Sequence, residues 1–178
     1  TFILADDFSI IFSIFIEIFL KIFLEIIFSA SICDNLSSLL SVNFNRLIKK
    51  SKRPVLIAGG GIKVSKSEKK FDKLMSLLNI PVVSTWSGVD LIDHSKNQYI
   101  GNVGVYGSRA ANFAVQNSDL VLCLGSRLDT RITGGVPSTF ARKAKVIAVD
   151  IDKNEISKKR GLNLFLKVNS DLSIFLDH

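Results

Sequence analysis

Three consecutive glycines, Gly59-Gly60-Gly61, follow a short apolar run, Val55-Leu56-Ile57-Ala58. Glycines at the end of a strand let the main chain come close to a diphosphate, and the same residues also serve a tight turn that holds no ligand. They do not complete the dinucleotide fingerprint, which needs a third glycine where Val64 stands. The next apolar run ends in Ser84-Thr85, with no acid to hold a ribose. Gly125 closes a later run, and beyond it Arg127 and Arg131 flank Asp129. Two guanidiniums there can grip a phosphate bidentately, or pair with Asp129 instead. Asp150, at the end of Lys145–Val149, can accept hydrogen bonds from ribose or ribityl hydroxyls, or cap the turn that follows it.

Other chemistries find little support. Cys33 and Cys123 lie 90 positions apart and fit no metal spacing, which points to a reducing, cytoplasmic setting. Cys123 sits inside an apolar run and reads as core. His94 reads as a surface loop residue, and the other histidine is the terminal His178. No nucleophile–base pair, serine-hydrolase motif or P-loop is present, so no catalytic residue and no metal ligand is assigned. The residues look arranged to hold a ligand or a neighbouring domain.

The elements that carry these residues alternate. Apolar runs at Val55–Ala58, Ile80–Ser84, Asp119–Leu124, Lys145–Val149 and Leu164–Val168 read as strands. They are continuous rather than alternating, the pattern of strands buried on both faces. Between them, residues 66–79 show helical spacing (Phe71, Leu74, Met75, Leu78), stopped by Asn79 with Pro81 after it. Ser108 can cap a helix through Ala110, Ala111, Phe113 and Ala114, Asn154-Glu155-Ile156 starts a short one, and Asp171 can start the last. Residues 86–107 read as loop. The pattern predicts an α/β domain with a doubly wound, mostly parallel, Rossmann-like sheet flanked by helices. In such sheets ligands bind beyond the carboxyl ends of the strands, where Gly59–Gly61, Thr85, Gly125-Ser126-Arg127, Asp150 and Ser170-Asp171 fall.

The first part of the chain follows a different design. All 11 glycines and all three prolines lie at or after Pro54, while eight of the 13 phenylalanines lie in residues 1–44. Residues 1–45 carry a net charge of −4 and residues 46–178 carry +11. The basic part can attract phosphates, or it is a solvated lysine-rich surface; the aromatic-basic interleaving of a nucleic-acid groove is missing. Residues 8–28 contain 16 apolar residues of 21, with Phe8, Phe12, Phe15, Phe19 and Phe23 on one helical face, and predict an apolar N-terminal helix. Glu17, Lys21 and Glu25 make membrane insertion marginal, at roughly 2.5–3.5 kcal/mol each against roughly 0.3–0.6 kcal/mol gained per apolar residue. Three readings stay open for residues 1–35: a packing helix, a membrane or interfacial anchor, or a wrong-frame translation of AT-rich DNA. A linker helix at 36–53 and a globular domain at 54–178 complete the expected organisation.

Five motifs carry a resemblance. They are Arg53-Pro54-Val55-Leu56-Ile57-Ala58-Gly59-Gly60-Gly61; Ile80-Pro81-Val82-Val83-Ser84-Thr85; Gly104-Val105-Tyr106-Gly107-Ser108-Arg109-Ala110-Ala111-Asn112; Ser118-Asp119-Leu120 with Leu124-Gly125-Ser126-Arg127-Leu128-Asp129-Thr130-Arg131-Ile132-Thr133-Gly134; and Val149-Asp150-Ile151-Asp152. In this order they resemble the central domain of thiamine diphosphate-dependent enzymes, most closely the acetolactate synthase-like branch, over about residues 40–177. The resemblance implies a three-domain parent, a transferase that decarboxylates a 2-oxo acid and then ligates the carbon fragment. It implies thiamine diphosphate and Mg2+ held by the pyrimidine- and diphosphate-binding domains, a homo-oligomer, and in acetolactate synthases a structural FAD in the central domain.

Carried over by position, FAD contacts would fall at Gly59, Gly60, Gly61, Thr85, Trp86, Gly104, Val105, Tyr106, Gly125, Arg127, Asp129, Arg131, Asp150, Ile151 and Asp171. Ser170 replaces the family's glycine before the last aspartate, and Tyr106 stands where FAD-binding members often have His. The Gly-Asp-Gly…Asn motif and the glutamate-bearing first domain are absent from the sequence, so the chain reads as a central-domain fragment that is not catalytic alone. A stand-alone flavin or nucleotide module and a membrane-tethered interaction protein are the alternatives.

Overall fold

The computed structural model describes Phe44, residues 46–158 and residues 161–177. The apolar segment at 8–28 lies outside these residues, as does half of the expected linker helix at 36–53; residues 46–50 are helical. The compact unit begins at Arg46.

Six strands build one sheet: β1 Pro54–Ala58, β2 Val82–Ser84, β3 Tyr99–Asn102, β4 Leu120–Leu124, β5 Lys145–Asp150 and β6 Leu164–Asn169. All five pairings are parallel, in the order β3-β2-β1-β4-β5-β6. The chain starts at the centre, winds outward to β3, then returns beside β1 to build the other half. This is the doubly wound order, and its switch point lies between β1 and β4.

The apolar runs explain the centre of the sheet. Ile57 pairs with Val83 on one side and Cys123 on the other, and Leu56, Ile57, Val83, Val121, Cys123 and Leu124 are wholly buried. Each such large side chain stabilises the fold by roughly 1.5–3 kcal/mol. Two strand readings need correction. β3 lies in the stretch read as loop, and β6 is covered on one face only: Leu164, Leu166 and Val168 point inward while Phe165, Lys167 and Asn169 are exposed.

Between the strands run helices α1 Gly61–Val64, α2 Glu68–Leu78, α3 Arg109–Gln116, α4 Thr130–Thr133, α5 Lys153–Ser157 and α6 Leu172–Phe175. Phe71 and Met75, one turn apart, bury the inner face of α2. Asn79 ends α2 in the left-handed region (φ 47°, ψ 42°), and its N–H donates to the Met75 carbonyl. Ser108 caps α3 by accepting from the Ala111 N–H at 3.1 Å, and Asp171 caps α6 by accepting from the Ser173 N–H at 2.7 Å. The helix runs through Ala110, Ala111, Phe113 and Ala114 as expected; its buried face is Ala111 and Val115, while Ala110 and Phe113 point to solvent.

The chain enters β1 through a clamp on Asp119. Its carboxylate accepts from the Ser51 hydroxyl and from the N–H groups of Lys52 (2.8 Å) and Arg53 (2.9 Å). Partial burial works to raise the Asp119 pKa, but these donors outweigh it and hold the carboxyl below its usual value.

Candidate functional site at the switch point

At the carboxyl edge of the sheet, the turn after β1 packs directly on the turn after β4. The Gly61 N–H donates to the Gly125 carbonyl at 3.0 Å, and the Gly59 N–H donates to the Leu124 carbonyl at 2.9 Å. A Cβ at Gly59 would lie 2.2 Å from the Gly125 oxygen, and one at Gly61 would lie 2.7 Å from the Gly125 Cα. Gly125 itself has φ +61°, the left-handed region that favours glycine. The glycines are thus required first by the meeting of two turns; Gly60 and Gly61 also face the cleft above them.

That cleft has a volume of about 740 Å³, within the range of sites for small molecules and cofactors. Of the residues singled out in the sequence, Gly60, Gly61, Trp86, Tyr106, Gly125, Arg127, Asp129, Arg131 and Asp150 line it. The others do not, but most support it. Gly59 packs on Gly125, and the Thr85 N–H donates to the Ala58 carbonyl at 2.9 Å. The Val105 N–H donates to the Arg131 carbonyl at 2.8 Å, and Asp171 caps α6. Ile151 is exposed beyond the end of β5.

Gly104 is held on both sides by one amide. Its N–H donates to Asn112 Oδ1 at 2.8 Å, and Asn112 Nδ2 donates back to its carbonyl at 2.9 Å. A side chain at Gly104 would meet the Arg131 carbonyl at 2.3 Å. Asn112 therefore ties the loop after β3 to α3, and the Val105 N–H ties the same loop to α4, the helix that carries Arg131.

Ser126, named with Gly125 and Arg127 at its strand end, lines the cleft as well, whereas sequence reasoning missed Lys63, Asn102, Leu128 and Ile132 among others. Leu128 sits between residues already named, and Lys63 lies on the short helix that follows the glycines. Asn102 belongs to the unrecognised strand β3, where its Oδ1 accepts from Ser84 Oγ at 2.5 Å.

Lys63, Arg127 and Arg131 outnumber Asp129 and Asp150 in the lining, so the cleft favours anions. The Lys63 ammonium donates to Asp90 at 2.7 Å and thereby holds that carboxyl below its usual value. Asp129 accepts from the Arg131 N–H at 3.0 Å and caps α4, and Asp150 accepts from the Asp152 N–H at 3.0 Å. Cys123 is a core residue: burial pushes its thiol up to about 12, and it is no nucleophile. His94 stacks on Tyr99 with ring centroids 4.6 Å apart, on the surface. Among the described residues no cluster of His, Cys, Asp or Glu could hold a metal, and no helix is long and apolar enough to cross a membrane.

A parallel sheet wound outward in both directions, with an anion-favouring cleft at its switch point, defines the class of doubly wound α/β domains. The family model described as thiamine pyrophosphate enzyme, central domain, matches residues 43–177, and the chain belongs to that family. It is 38% identical over 131 residues to a probable acetolactate synthase large subunit of Methanococcus aeolicus, covering 74% of this chain and 21% of that protein. It is 39% identical over 133 residues to the acetolactate synthase large subunit of Cyanidium caldarium (75% and 22%). It is 34% identical over 131 residues to the acetolactate synthase isozyme 2 large subunit of Escherichia coli K12 (74% and 23%). The chain thus spans about a fifth of the length of these curated relatives.

Proposed function

We propose that this chain is the central domain of an acetolactate synthase-like, thiamine diphosphate- and Mg2+-dependent enzyme, and that its cleft binds FAD. The observation that carries the reading is the coincidence of the family match with a cleft at the β1/β4 switch point. In that cleft Arg127 and Arg131 stand where a diphosphate needs cations, and Asp150 stands at a strand end where hydroxyls need an acceptor. FAD fits what is present: the volume suits a cofactor, the cleft favours anions, and any side chain at Gly60 or Gly61 would collide with Ser87 or Gly125.

In this role the flavin is structural. It fills the cleft above the two packed glycine turns and orders the surface that neighbouring domains meet. The thiamine diphosphate and Mg2+ are held by the pyrimidine- and diphosphate-binding domains of the parent, in a cytoplasmic homo-oligomer. The reaction of the whole is decarboxylation of a 2-oxo acid followed by carboligation.

Titration of the chain with FAD, followed by flavin fluorescence and equilibrium dialysis, tests the reading. One flavin per chain is expected, with at least tenfold weaker binding in Arg127→Ala and a smaller loss in Asp150→Ala. Absence of binding at millimolar FAD by a folded chain overturns it.

A further inference from the structure

The carboxyl end of β3 brings three polar side chains together beside the cleft. Asn102 pairs with Ser84 across the β2–β3 ladder, so both project from the same face of the sheet. Tyr99 joins them across the irregular register of that pair. Ser84 is wholly buried, and a buried hydroxyl needs partners. It finds two: its Oγ donates to Asn102 Oδ1 at 2.5 Å and lies 2.9 Å from the Tyr99 hydroxyl. The Tyr99 hydroxyl also donates to Asn102 Oδ1, at 3.1 Å.

These contacts fix which way the amide points. A separation of 2.5 Å suits O–H···O and is too short for N–H···O, so the atom facing Ser84 is the oxygen. The count of hydrogens agrees. Ser84 and Tyr99 carry one hydroxyl hydrogen each, and both find an acceptor in Oδ1. With the amide reversed, one of those two hydrogens would have no acceptor in the network. Around it the frame is held: His94 stacks on Tyr99, and its Nε2 lies 3.1 Å from the Val89 carbonyl. The Asn102 carbonyl accepts from the Ser108 N–H at 2.8 Å, and the Val103 N–H donates to the Ser84 carbonyl at 2.9 Å.

The amide nitrogen is left over. Oδ1 already accepts twice, Nδ2 has no hydrogen-bond partner among the described residues, and Asn102 lines the cleft. We propose that Asn102 is a specificity-determining residue of this cleft: a neutral donor, oriented by Ser84 and Tyr99, that takes an acceptor atom of the bound ligand. The arginines attract any anion, whereas an oriented amide suits only a ligand that sets an acceptor opposite it, because a donor facing a donor stays unpaired. This rests on the reading of the cleft as a cofactor site and adds a contact that the carried-over positions do not include. Ser84 and Tyr99 are positioning residues, since they act through Asn102.

Asn102→Asp separates orientation from recognition. The carboxylate keeps the shape and accepts from both hydroxyls, but turns an oxygen toward the cleft where the amide turned its N–H. The full chain is titrated with FAD and, by competition, with inorganic pyrophosphate, while circular dichroism checks the fold. Asn102→Ala should weaken FAD roughly two- to tenfold, the range of one neutral hydrogen bond. Asn102→Asp should weaken it further, since a charged acceptor then faces an acceptor. Ser84→Ala and Tyr99→Phe should each weaken FAD in the otherwise unaltered chain and add nothing once residue 102 is alanine, a coupling that a merely structural role does not produce. An equal loss for pyrophosphate assigns the acceptor to a phosphate oxygen; a loss confined to FAD assigns it to the rings or the linker.

Unchanged FAD affinity in a folded Asn102→Asp chain overturns the proposal. So does a loss from Tyr99→Phe that persists undiminished in the Asn102→Ala background, which would make the network a brace of the fold. If the unaltered, folded chain binds no FAD, the cofactor reading fails first and this one falls with it.

Discussion

At the scale of single residues, glycines in this chain differ according to what a Cβ would meet. At Gly59 it would meet the main-chain oxygen of Gly125 at 2.2 Å, and main chain cannot swing aside as a side chain can. Gly59→Ala should therefore cost at least about 2–3 kcal/mol, since overpacking at a rigid contact displaces backbone. Gly135 has nothing within 4 Å, so Gly135→Ala should be neutral or stabilise by up to about 1 kcal/mol through the unfolded chain. Urea unfolding midpoints of the two variants, measured side by side, check this contrast. Cys123 makes a separate case. Its thiol is pushed by burial from 9.0 to about 12, so the folded state keeps a proton that the unfolded state releases. Its contribution is fully present below pH 9 and declines as pH rises toward 12. Thiol labelling should leave Cys123 untouched in the native chain at pH 8 and modify it in denaturant; rapid native labelling would contradict its burial.

At the scale of elements, the coupling of α3 to α4 runs through the loop after β3. Asn112 satisfies both the N–H and the carbonyl of Gly104, and the next residue bonds to the carbonyl of Arg131. Asn112→Ala should cost about 1–2 kcal/mol for two hydrogen bonds in a half-buried place. It should also weaken FAD several-fold by loosening both Tyr106 and Arg131, and calorimetry alongside the flavin titration reads both effects. A stability loss with undiminished flavin affinity would show that the clip braces the fold only.

The sequence made the central strands plain and left β3 hidden, for a physical reason. β1, β4 and β5 are continuous apolar runs because both their faces are covered. Tyr99-Ile100-Gly101-Asn102 has no such run and includes a glycine at φ +130°; it becomes a strand by pairing with β2 across an irregular register. The site was legible where glycine and charge cluster at strand ends, as at Gly60, Gly61, Gly125, Arg127 and Asp150. Asn102 was not, because its place depends on β3, and Lys63 was not, because a lysine after a turn looks like any solvated lysine. The carried-over positions that fell outside the cleft, such as Gly104 and Val105, mark the loop that supports it.

At the scale of the whole molecule, the described residues form the cleft proposed to hold FAD, and the match with relatives covers about a fifth of their length. No Gly-Asp-Gly…Asn motif occurs in the sequence. On the function proposed above, flavin binding and turnover should be separable. A polypeptide of these 178 residues is expected to bind FAD yet release no carbon dioxide from pyruvate in the presence of thiamine diphosphate and Mg2+. In a chimera, residues 43–177 would replace the matching segment of the Methanococcus aeolicus protein, to which the chain is 38% identical. Such a chimera is expected to regain carbon dioxide release if the cleft and the domain-facing surface are intact, and to lose it with Gly59→Ala, which separates the two turns. Turnover by the 178 residues alone would place catalytic groups within this chain, whereas a folded, flavin-binding chimera without activity would locate the mismatch at the surfaces that meet the neighbouring domains.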